Sequence, residues 1–413
     1  MFNKQSVFTG IIVTLIATHA NGANLFTFQQ ALGLAYKNNP ELQAEIDKAH
    51  VEKGNFAQSQ RYPNPFVQLQ AENIGGSGSY QGFESAETTL SIAQPIPLGH
   101  RLNFLKQSAY ATYSATLAGI NTKKVNLFTQ VGLAYLDNYY AAQWYLVTQK
   151  LTDLNQDIVK EIKRRVSAGA GAQLDLNLAE VRLGEALIQQ RKAALEIKVT
   201  RARLEQLMNS QITTEKKLTD FGLRHKPWSW KAISQQLNNS PVLREKRLRL
   251  QAQRAAIALV KKQVWPDLIV QVGARHFSDD GSNAAVLSSA AQVPVFDRNQ
   301  GRIAAQEAQY TQIMHELKTL CLETKQTLYR LHLQAEQNQF EAEEVTKKLL
   351  PLARKAVENA RDGYLRGRYG YLELSIAMNT LLEEEKHYLQ AHADYHKAFI
   401  EIAGLLGSDD ESK

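Results

Sequence analysis

The sequence predicts a mainly α-helical, elongated chain with a small β part. Three observations carry that expectation. The chain is written twice, each half contains an almost proline-free tract of more than sixty residues, and each half contains two segments of about ten residues with β-like patterning.

The first element is a segment apart. Lys4 precedes an apolar run, Val7 to Ala17, and small and polar residues follow from Thr18 to Ala23. That order is the pattern of a cleavable secretory signal peptide, too short in its apolar core to span a bilayer. Residues 1–22 are therefore expected to be removed after Gly22, with Ala20 the alternative, and the mature chain to be exported.

The duplication organises the rest. Asn38-Asn39-Pro40 recurs as Asn239-Ser240-Pro241, and each opens a helical stretch, Glu41–Gln60 and Val242–Val264. Each stretch ends in a break, Tyr62-Pro63-Asn64-Pro65 and Trp265-Pro266-Asp267. Two β-like segments follow each break. The junctions Gln94-Pro95-Ile96-Pro97-Leu98-Gly99-His100-Arg101 and Gln292-Val293-Pro294-Val295-Phe296-Asp297-Arg298 then open the long tracts. Gly169-Ala170-Gly171-Ala172-Gln173-Leu174-Asp175 matches Gly367-Arg368-Tyr369-Gly370-Tyr371-Leu372-Glu373. The pairs are offset by 197 to 203 residues, and spacing that constant marks an internal repeat. Residues 23–209 form the first repeat, 210–230 a turn-rich linker, 231–407 the second repeat and 408–413 a polar tail.

The long tracts run from Arg101 to Ser167 without proline and from Arg302 to Leu365 with only Pro351. At about 1.5 Å per residue each would be roughly 100 Å long and would need lateral partners. Ile313, Leu317, Leu320, Thr324, Leu328, Leu331 and Ala335 keep a 3–4 spacing. Leu174, Leu178, Val181, Ile188, Leu195 and Val199 fit the same heptad frame. Both read as coiled-coil seams. The glycine turns at 169–171 and 367–370 fold each long helix back on a shorter one as an antiparallel hairpin.

The β segments are expected at Phe66–Ile74, Glu87–Ile96, Leu268–Phe277 and Val286–Val295. Val67, Leu69 and Ala71 alternate with Gln68, Gln70 and Glu72, giving one apolar and one polar face, as on a transmembrane β-strand. Alternation alone fits two soluble hairpins equally well. Four strands cannot close a membrane barrel, so strands that enter lipid must be pooled between chains; three chains give twelve.

Composition sets limits. The 413 residues carry a formal net charge of +7 and a single cysteine, Cys321. That excludes a disulfide framework and a cysteine-based metal site. The mean hydropathy of −0.35 argues against multiple helical spans, and basic residues are too dispersed for a nucleic-acid arm. There is no phosphate loop, dinucleotide fingerprint or nucleophile elbow, so an enzyme is the least supported reading. His392 and His396 share a helix face, but His387 faces elsewhere, and no metal site or cofactor is expected.

Taken in order, these landmarks resemble the TolC family of outer-membrane efflux ducts over essentially the whole mature chain. The carriers are Phe28-Gln29-Gln30-Ala31-Leu32 with Asn39-Pro40-Glu41-Leu42, the Tyr62–Pro65 break, the Gln94–Arg101 junction and the two glycine turns. The Tyr-Pro-Asn-Pro break and the Gln-Pro-Ile-Pro-Leu-Gly run look most like the heavy-metal branch, the cobalt–zinc–cadmium (CzcC-like) outer-membrane components. The resemblance implies a homotrimer with a 12-stranded β-barrel in outer-membrane lipid and an α-helical barrel crossing the periplasm of a Gram-negative cell. It also implies docking on a periplasmic adaptor protein and, through it, on an inner-membrane RND-type pump. The same duct serving drugs or secreted polypeptides, and a pore-less periplasmic coiled-coil adaptor, are the competing readings.

By resemblance, the hairpin turns around Gly169, Gly171, Gly367 and Gly370 form the periplasmic tip, which closes like an iris and meets the adaptor. Asp175 and Glu373 match acids that line the aperture, and Tyr364 matches a gating aromatic that hydrogen-bonds between hairpins. Two departures stand out. Ile376 replaces a second acid, and Tyr369 replaces a basic partner, although Arg366 and Arg368 flank it. Independently of the family, a carboxylate ring in a narrow pore favours cations. Acids at these positions also complement the helix N-termini behind them.

Overall fold

The computed structural model describes residues 25–213, 217–218 and 228–407. The expected signal peptide, most of the linker and the polar tail lie outside the described residues.

One short strand and two helices open the described chain. Strand β1 (Leu25–Phe26) leads into α1 (Phe28–Asn38) and α2 (Pro40–Gln58). The two sequence landmarks here are caps. Thr27 and Gln30 form a reciprocal capping box at α1. Asn39 caps α2 by accepting from the amides of Glu41 and Leu42, with Pro40 at the first helical position. That arrangement satisfies otherwise orphaned N–H groups and suits proline, which has none to offer.

Strands β2 (Phe66–Glu72) and β3 (Glu87–Pro97) form the first β-hairpin. Gly99 and His100 then take left-handed conformations, φ +68° and +60°, and turn the chain into α3 (Arg101–Ser167), 67 residues long. Helix α4 (Gln173–Met208) returns along it. Strand β4 (Lys217–Leu218) pairs in parallel with β1.

The second repeat runs through α5 (Trp230–Gln236), α6 (Pro241–Lys262), β5 (Asp267–Phe277), β6 (Asn283–Ala291), α7 (Gln300–Glu344), α8 (Leu350–Leu365) and α9 (Tyr371–Leu406). Between α7 and α8 the helix widens into a π turn at Val345–Leu349. Pro351 follows at once. Proline lacks an amide and crowds the carbonyl four residues back, and the wider turn absorbs that clash without a break. The second long tract is therefore one continuous helical path with a defect that the first lacks.

The four long strands form one antiparallel sheet in the order β2-β3-β5-β6, so the two repeats meet at β3 and β5. The fourth strand lies at 283–291, not at the expected 286–295. Its register with β5 runs from Asn283 opposite His276 to Ala291 opposite Leu268. Beyond that, Pro294 cannot donate to a ladder and the chain leaves the sheet.

Cross-strand register sorts the side chains. Val67, Leu69, Leu90, Ile92, Val272 and Leu287 fall on one face, and all six are exposed. The opposite face is polar and linked. Arg275 donates to Glu87 at 2.6 Å, Glu72 at 2.9 Å and Thr89 at 2.9 Å, tying three strands together.

Three apolar clusters hold the helices. One packs α1, Leu42 of α2 and Ile400 of α9 around Val131 and Tyr135 of α3, and Tyr135 donates its hydroxyl to the Phe26 carbonyl at 2.7 Å. A second joins α5, α6, α7 and the end of α9 through Ile233, Leu243, Leu328 and Ile402. The third ties the two helix hairpins together through Ile158, Ile162, Leu176, Val357 and Leu374. The predicted seam on α7 packs as expected: Thr324, Leu328, Leu331 and Ala335 are buried. Cys321 is half-buried beside it.

The seam predicted on α4 does not. Leu174, Leu178, Val181, Ile188, Leu195 and Val199 are all exposed. Helix α4 buries a different stripe, Leu176, Ala179, Ala193, Leu204 and Met208. Among the described residues, the larger heptad stripe is left without a partner. Among the described residues, no helix is long and apolar enough to cross a membrane.

Candidate functional site at the hairpin ends

Both long helices end in the same way. At the first turn, Gly169 has φ +72°; its amide donates to Val166 O at 3.0 Å and the Ala170 amide to Arg165 O at 2.9 Å. At the second, Gly367 has φ +71°; its amide donates to Tyr364 O at 3.0 Å and the Arg368 amide to Gly363 O at 2.8 Å. These are two Schellman caps, 198 residues apart. Left-handed φ is the reason for glycine at 169 and 367. Gly171 has a packing reason: a Cβ there would lie 3.2 Å from Val166 Cγ2. Gly370 has neither a left-handed φ nor a comparable clash with backbone. It caps α9 in an extended conformation, beside the Glu373 carboxylate.

The hairpins are joined side by side at these ends. The Tyr364 hydroxyl on α8 donates to Asp175 Oδ2 on α4 at 3.2 Å. Tyr364 is buried, with its ring edge-on to Tyr371 at 6.2 Å. Burial, followed by the Asp175 carboxylate, pushes its hydroxyl pKa up to about 12. The phenol is therefore a firm neutral donor. Burial also raises the pKa of Tyr371.

Asp175 and Glu373 occupy equivalent first-turn positions but differ in setting. Asp175 is half-buried and engaged by Tyr364, whereas Glu373 is exposed. Both sit where a carboxylate complements a helix N-terminus.

The sequence does not single out Arg165. Its guanidinium lies 5.0 Å from the centre of the Tyr364 ring and donates to Tyr364 O at 2.6 Å, Leu365 O at 2.9 Å and Ala170 O at 3.3 Å. One side chain from the first hairpin thus satisfies carbonyls at the end of α8 and in its own turn. Arg361 of α8 adds a forked ion pair with Glu161 of α3, and that carboxylate raises the pKa of the guanidinium. Arg182 of α4 reaches Ser375 O of α9 at 3.5 Å. In sequence, Arg165 is one of several basic residues near the end of α3, and only the fold distinguishes it from Arg164.

The two departures also have positions. Ile376 is exposed. The Tyr369 ring covers Gly363, where an added Cβ would lie 2.0 Å from Tyr369 Cδ2. Arg366 turns back to Asp362 at 3.0 Å.

The histidines are helix-face and core groups. His392 approaches Thr346 Oγ1 at 3.3 Å, and His396 is buried against the Tyr140 hydroxyl at 2.9 Å. Among the described residues, no group of three or more His, Cys, Asp or Glu side chains is placed to hold a metal ion.

Comparison with known proteins gives a consistent picture. The outer membrane efflux protein family matches residues 31–210 and 232–408. The cobalt-zinc-cadmium resistance protein CzcC of Cupriavidus metallidurans is 24% identical over 392 residues, covering 93% of this chain and 91% of that protein. The nickel-cobalt-cadmium resistance protein NccC of Alcaligenes xylosoxydans xylosoxydans is 22% identical over 305 residues, 71% of this chain and 66% of that protein. Among solved structures, the outer-membrane channel OprN superposes with a TM-score of 0.80 at 17% identity, covering 92% of this chain and 89% of that one. CusC superposes with a TM-score of 0.79 at 17% identity, covering 92% and 91%. The fold is that of the TolC-like channels, and the chain belongs to the outer membrane efflux protein family.

Proposed function

We propose that this chain is the outer-membrane duct of a tripartite efflux system, passing heavy-metal cations across the periplasm and the outer membrane. The observation that carries the duct is the sheet. Its apolar face is exposed across all four strands, while its other face is a bonded polar network. That division suits a lipid exterior and a wet lumen. Strands β2 and β6 are open edges running in opposite directions. Three copies joined edge to edge would close twelve antiparallel strands and remove every edge. The exposed heptad stripe on α4 supplies further surface for such a homotrimer.

The metal cargo rests on the relatives, which are named as cobalt, zinc, cadmium and nickel resistance proteins. A passive conduit need only let its cargo pass, since a tight site would slow release. In this reading Glu373 lines the periplasmic aperture. Asp175 and Tyr364 hold the two hairpins together in the closed state. The turns at Gly169, Gly171, Gly367 and Gly370 meet a periplasmic adaptor protein that couples the duct to an inner-membrane pump of the RND type.

Deletion of the gene tests the proposal, followed by growth on graded zinc, cadmium, cobalt, copper and silver with antibiotic controls. Lost metal tolerance is the expected result. Unchanged tolerance to every metal beside new drug sensitivity would reassign the cargo. A mature chain found soluble in the periplasm would favour the pore-less adaptor.

A further inference from the structure

The two ends of the sheet carry opposite charge. At the far end the strands are joined by residues 73–86 and 278–282, which contain Glu84, Asp279 and Asp280 and no Lys or Arg. Arg275 at that end is taken up by Glu72 and Glu87. Where the strands meet the helices the balance reverses, and Arg61, Arg101, Lys106, Lys261, Lys262 and Arg298 gather. Three of these are engaged. Arg101 pairs with Asp267, Lys261 pairs with Glu307, and Lys262 lies over the Phe104 ring. Arg61, Lys106 and Arg298 are exposed and form no ion pair among the described residues. Arg61 follows the C-terminus of α2, where the helix dipole favours a cation. Arg298 has no such rationale, because it precedes the N-cap of α7 at Asn299, where the dipole opposes a cation.

Exposed aromatic side chains sit beside these cations. Tyr62 follows Arg61 and is 73% exposed, Trp265 follows Lys262 at 52%, and Phe296 precedes Arg298 at 91%. Val293 and Val295 are exposed too, and they continue the odd-numbered side of β6 that carries Leu287. The apolar face of the sheet therefore does not stop at the last ladder pair. It runs on into a rim of aromatic and basic residues. Tyr and Trp suit a boundary that is apolar on one side and wet on the other. Lys and Arg suit the same boundary, since their stems lie along apolar surface while the charged head stays in water.

We propose that this rim binds anionic phospholipid, with Arg61, Lys106 and Arg298 reaching the headgroup phosphates and Tyr62, Trp265 and Phe296 lying where the acyl chains begin. The proposal rests on the reading of the sheet as seated in a membrane, and it adds the class of lipid that the periplasmic leaflet presents to it. Charge complementarity selects the occupant. A zwitterionic lipid would cover the apolar rim equally well, but its own cation would compete with the three side chains for each phosphate. An anionic headgroup gives them a partner without that competition, and an anionic lipid surface attracts each Lys or Arg close to it. The acids at the far end repel the same lipid, so the charge difference between the two ends also favours one orientation of the sheet across the bilayer.

The test offers the full chain, in detergent micelles, equal amounts of phosphatidylglycerol and phosphatidylcholine. Mass spectrometry after gel filtration measures which lipid stays bound. Wild type should retain phosphatidylglycerol over phosphatidylcholine by about tenfold, the combined pull of three basic side chains on an anionic lipid. R61Q/K106Q/R298Q should retain the two lipids nearly equally, while R61K/K106R/R298K should keep the preference. Y62S/F296S should hold less of both lipids and keep the preference for the anionic one. Excess inorganic phosphate should leave bound phosphatidylglycerol in place. Displacement by phosphate would make the cations a site for the free anion and overturn the lipid assignment. Equal retention by wild type, or an unchanged preference in the glutamine variant, also overturns the proposal. Flotation with vesicles of each lipid separates this failure from failure of the membrane reading. A wild-type chain that floats with both vesicles but shows no preference keeps its membrane seat and loses the headgroup site. One that floats with neither overturns the membrane reading as well. Helix content by circular dichroism confirms that each variant is folded.

Discussion

Arg361 grips the Glu161 carboxylate with two guanidinium nitrogens, and the two residues stand 200 positions apart, one on each helix hairpin. A planar fork matched to a carboxylate fixes both distance and angle. Together with Arg165 on the Tyr364 and Leu365 carbonyls and Tyr364 on Asp175, it forms a ladder of three links between the hairpins. None of the three is formed within a single hairpin, so all three report on whether the hairpins lie together.

The ion pair is partly exposed, so its coupling is predicted to be modest, about 1 kcal/mol. A double-mutant cycle on Glu161→Gln and Arg361→Gln measures it, read by hydrogen exchange of α8 amides. Zero coupling would mean that the α8 end is held by its other links, Arg165 and Tyr364, and by apolar packing, without help from the ion pair.

Tyr364→Phe removes one hydroxyl and keeps the ring against Tyr371 and Arg165. The predicted cost to the hairpin contact is about 1 kcal/mol. Single-channel conductance in planar bilayers should rise as the closed arrangement loses population. Tyr371→Phe is the control: that ring packs in the same cluster, and its variant should conduct like wild type. Asp175→Asn keeps an acceptor oxygen but loses its charge, so it should fall between wild type and Tyr364→Phe.

The pH dependence follows from the Tyr364 hydroxyl, held up at about 12 by burial and by the Asp175 carboxylate. An unfolded tyrosine titrates near about 10. The folded state therefore favours the neutral phenol. Its stabilisation is complete below about pH 10 and is lost as pH rises through about 12. The hairpin contact should be indifferent to this group from neutral pH to about 9. Phenolate absorbance, compared between wild type and Tyr364→Phe, should differ by one late-titrating tyrosine. A difference spectrum that titrates near about 10 would place the hydroxyl in water.

Much of the architecture was legible in the chain because its causes are local. Caps at Thr27 and Asn39, glycine turns at 169 and 367, and proline breaks at 63 and 266 mark the element ends. The repeat then checks each assignment against its copy. The fourth strand slipped because Val286–Val295 is the more apolar window, whereas the ladder partners on β5 are what fix the strand. The α4 seam is periodic as expected, but among the described residues no helix of the same chain covers it. Periodicity reports that a stripe is apolar, not which helix covers it. Arg165 and Glu161 were invisible for a similar reason. Each is one charge in a polar helix until the second hairpin arrives some 200 residues later in the chain.

The two turn glycines offer a contrast with Gly363. At Gly169 an added methyl group meets nothing within 4 Å, and the whole cost is the left-handed φ. Gly169→Ala should therefore cost about 1 kcal/mol and leave the turn in shape. Gly363 lies inside a helix, where alanine is the better helix former by about 1 kcal/mol. Its methyl group would strike the Tyr369 ring. Gly363→Ala should be near neutral in stability but should expel Tyr369. The readout is faster exchange of the Tyr369 amide, which donates to Gly363 O at 3.3 Å. Unchanged exchange there would show that the ring has another resting place.

Arg275 provides the last prediction. It stands on the polar face of the sheet between Glu72 and Glu87, which lie opposite one another across β2 and β3. Its guanidinium is what allows two carboxylates to face each other at the hairpin end, since like charges directly opposed in a ladder repel. Arg275→Ala removes three hydrogen bonds at once and leaves both acids without their cation, at a predicted cost of about 2 kcal/mol. It also weakens the joint between β3 and β5, the one place where the sheets of the two repeats meet. The predicted result is a lower yield of folded chain in the outer membrane, read by heat-modifiable mobility on gels. Glu72→Gln together with Glu87→Gln should restore that yield in the Arg275→Ala background, because the repulsion is then gone. Failure of the rescue would show that Arg275 acts through its bond to Thr89 rather than through charge.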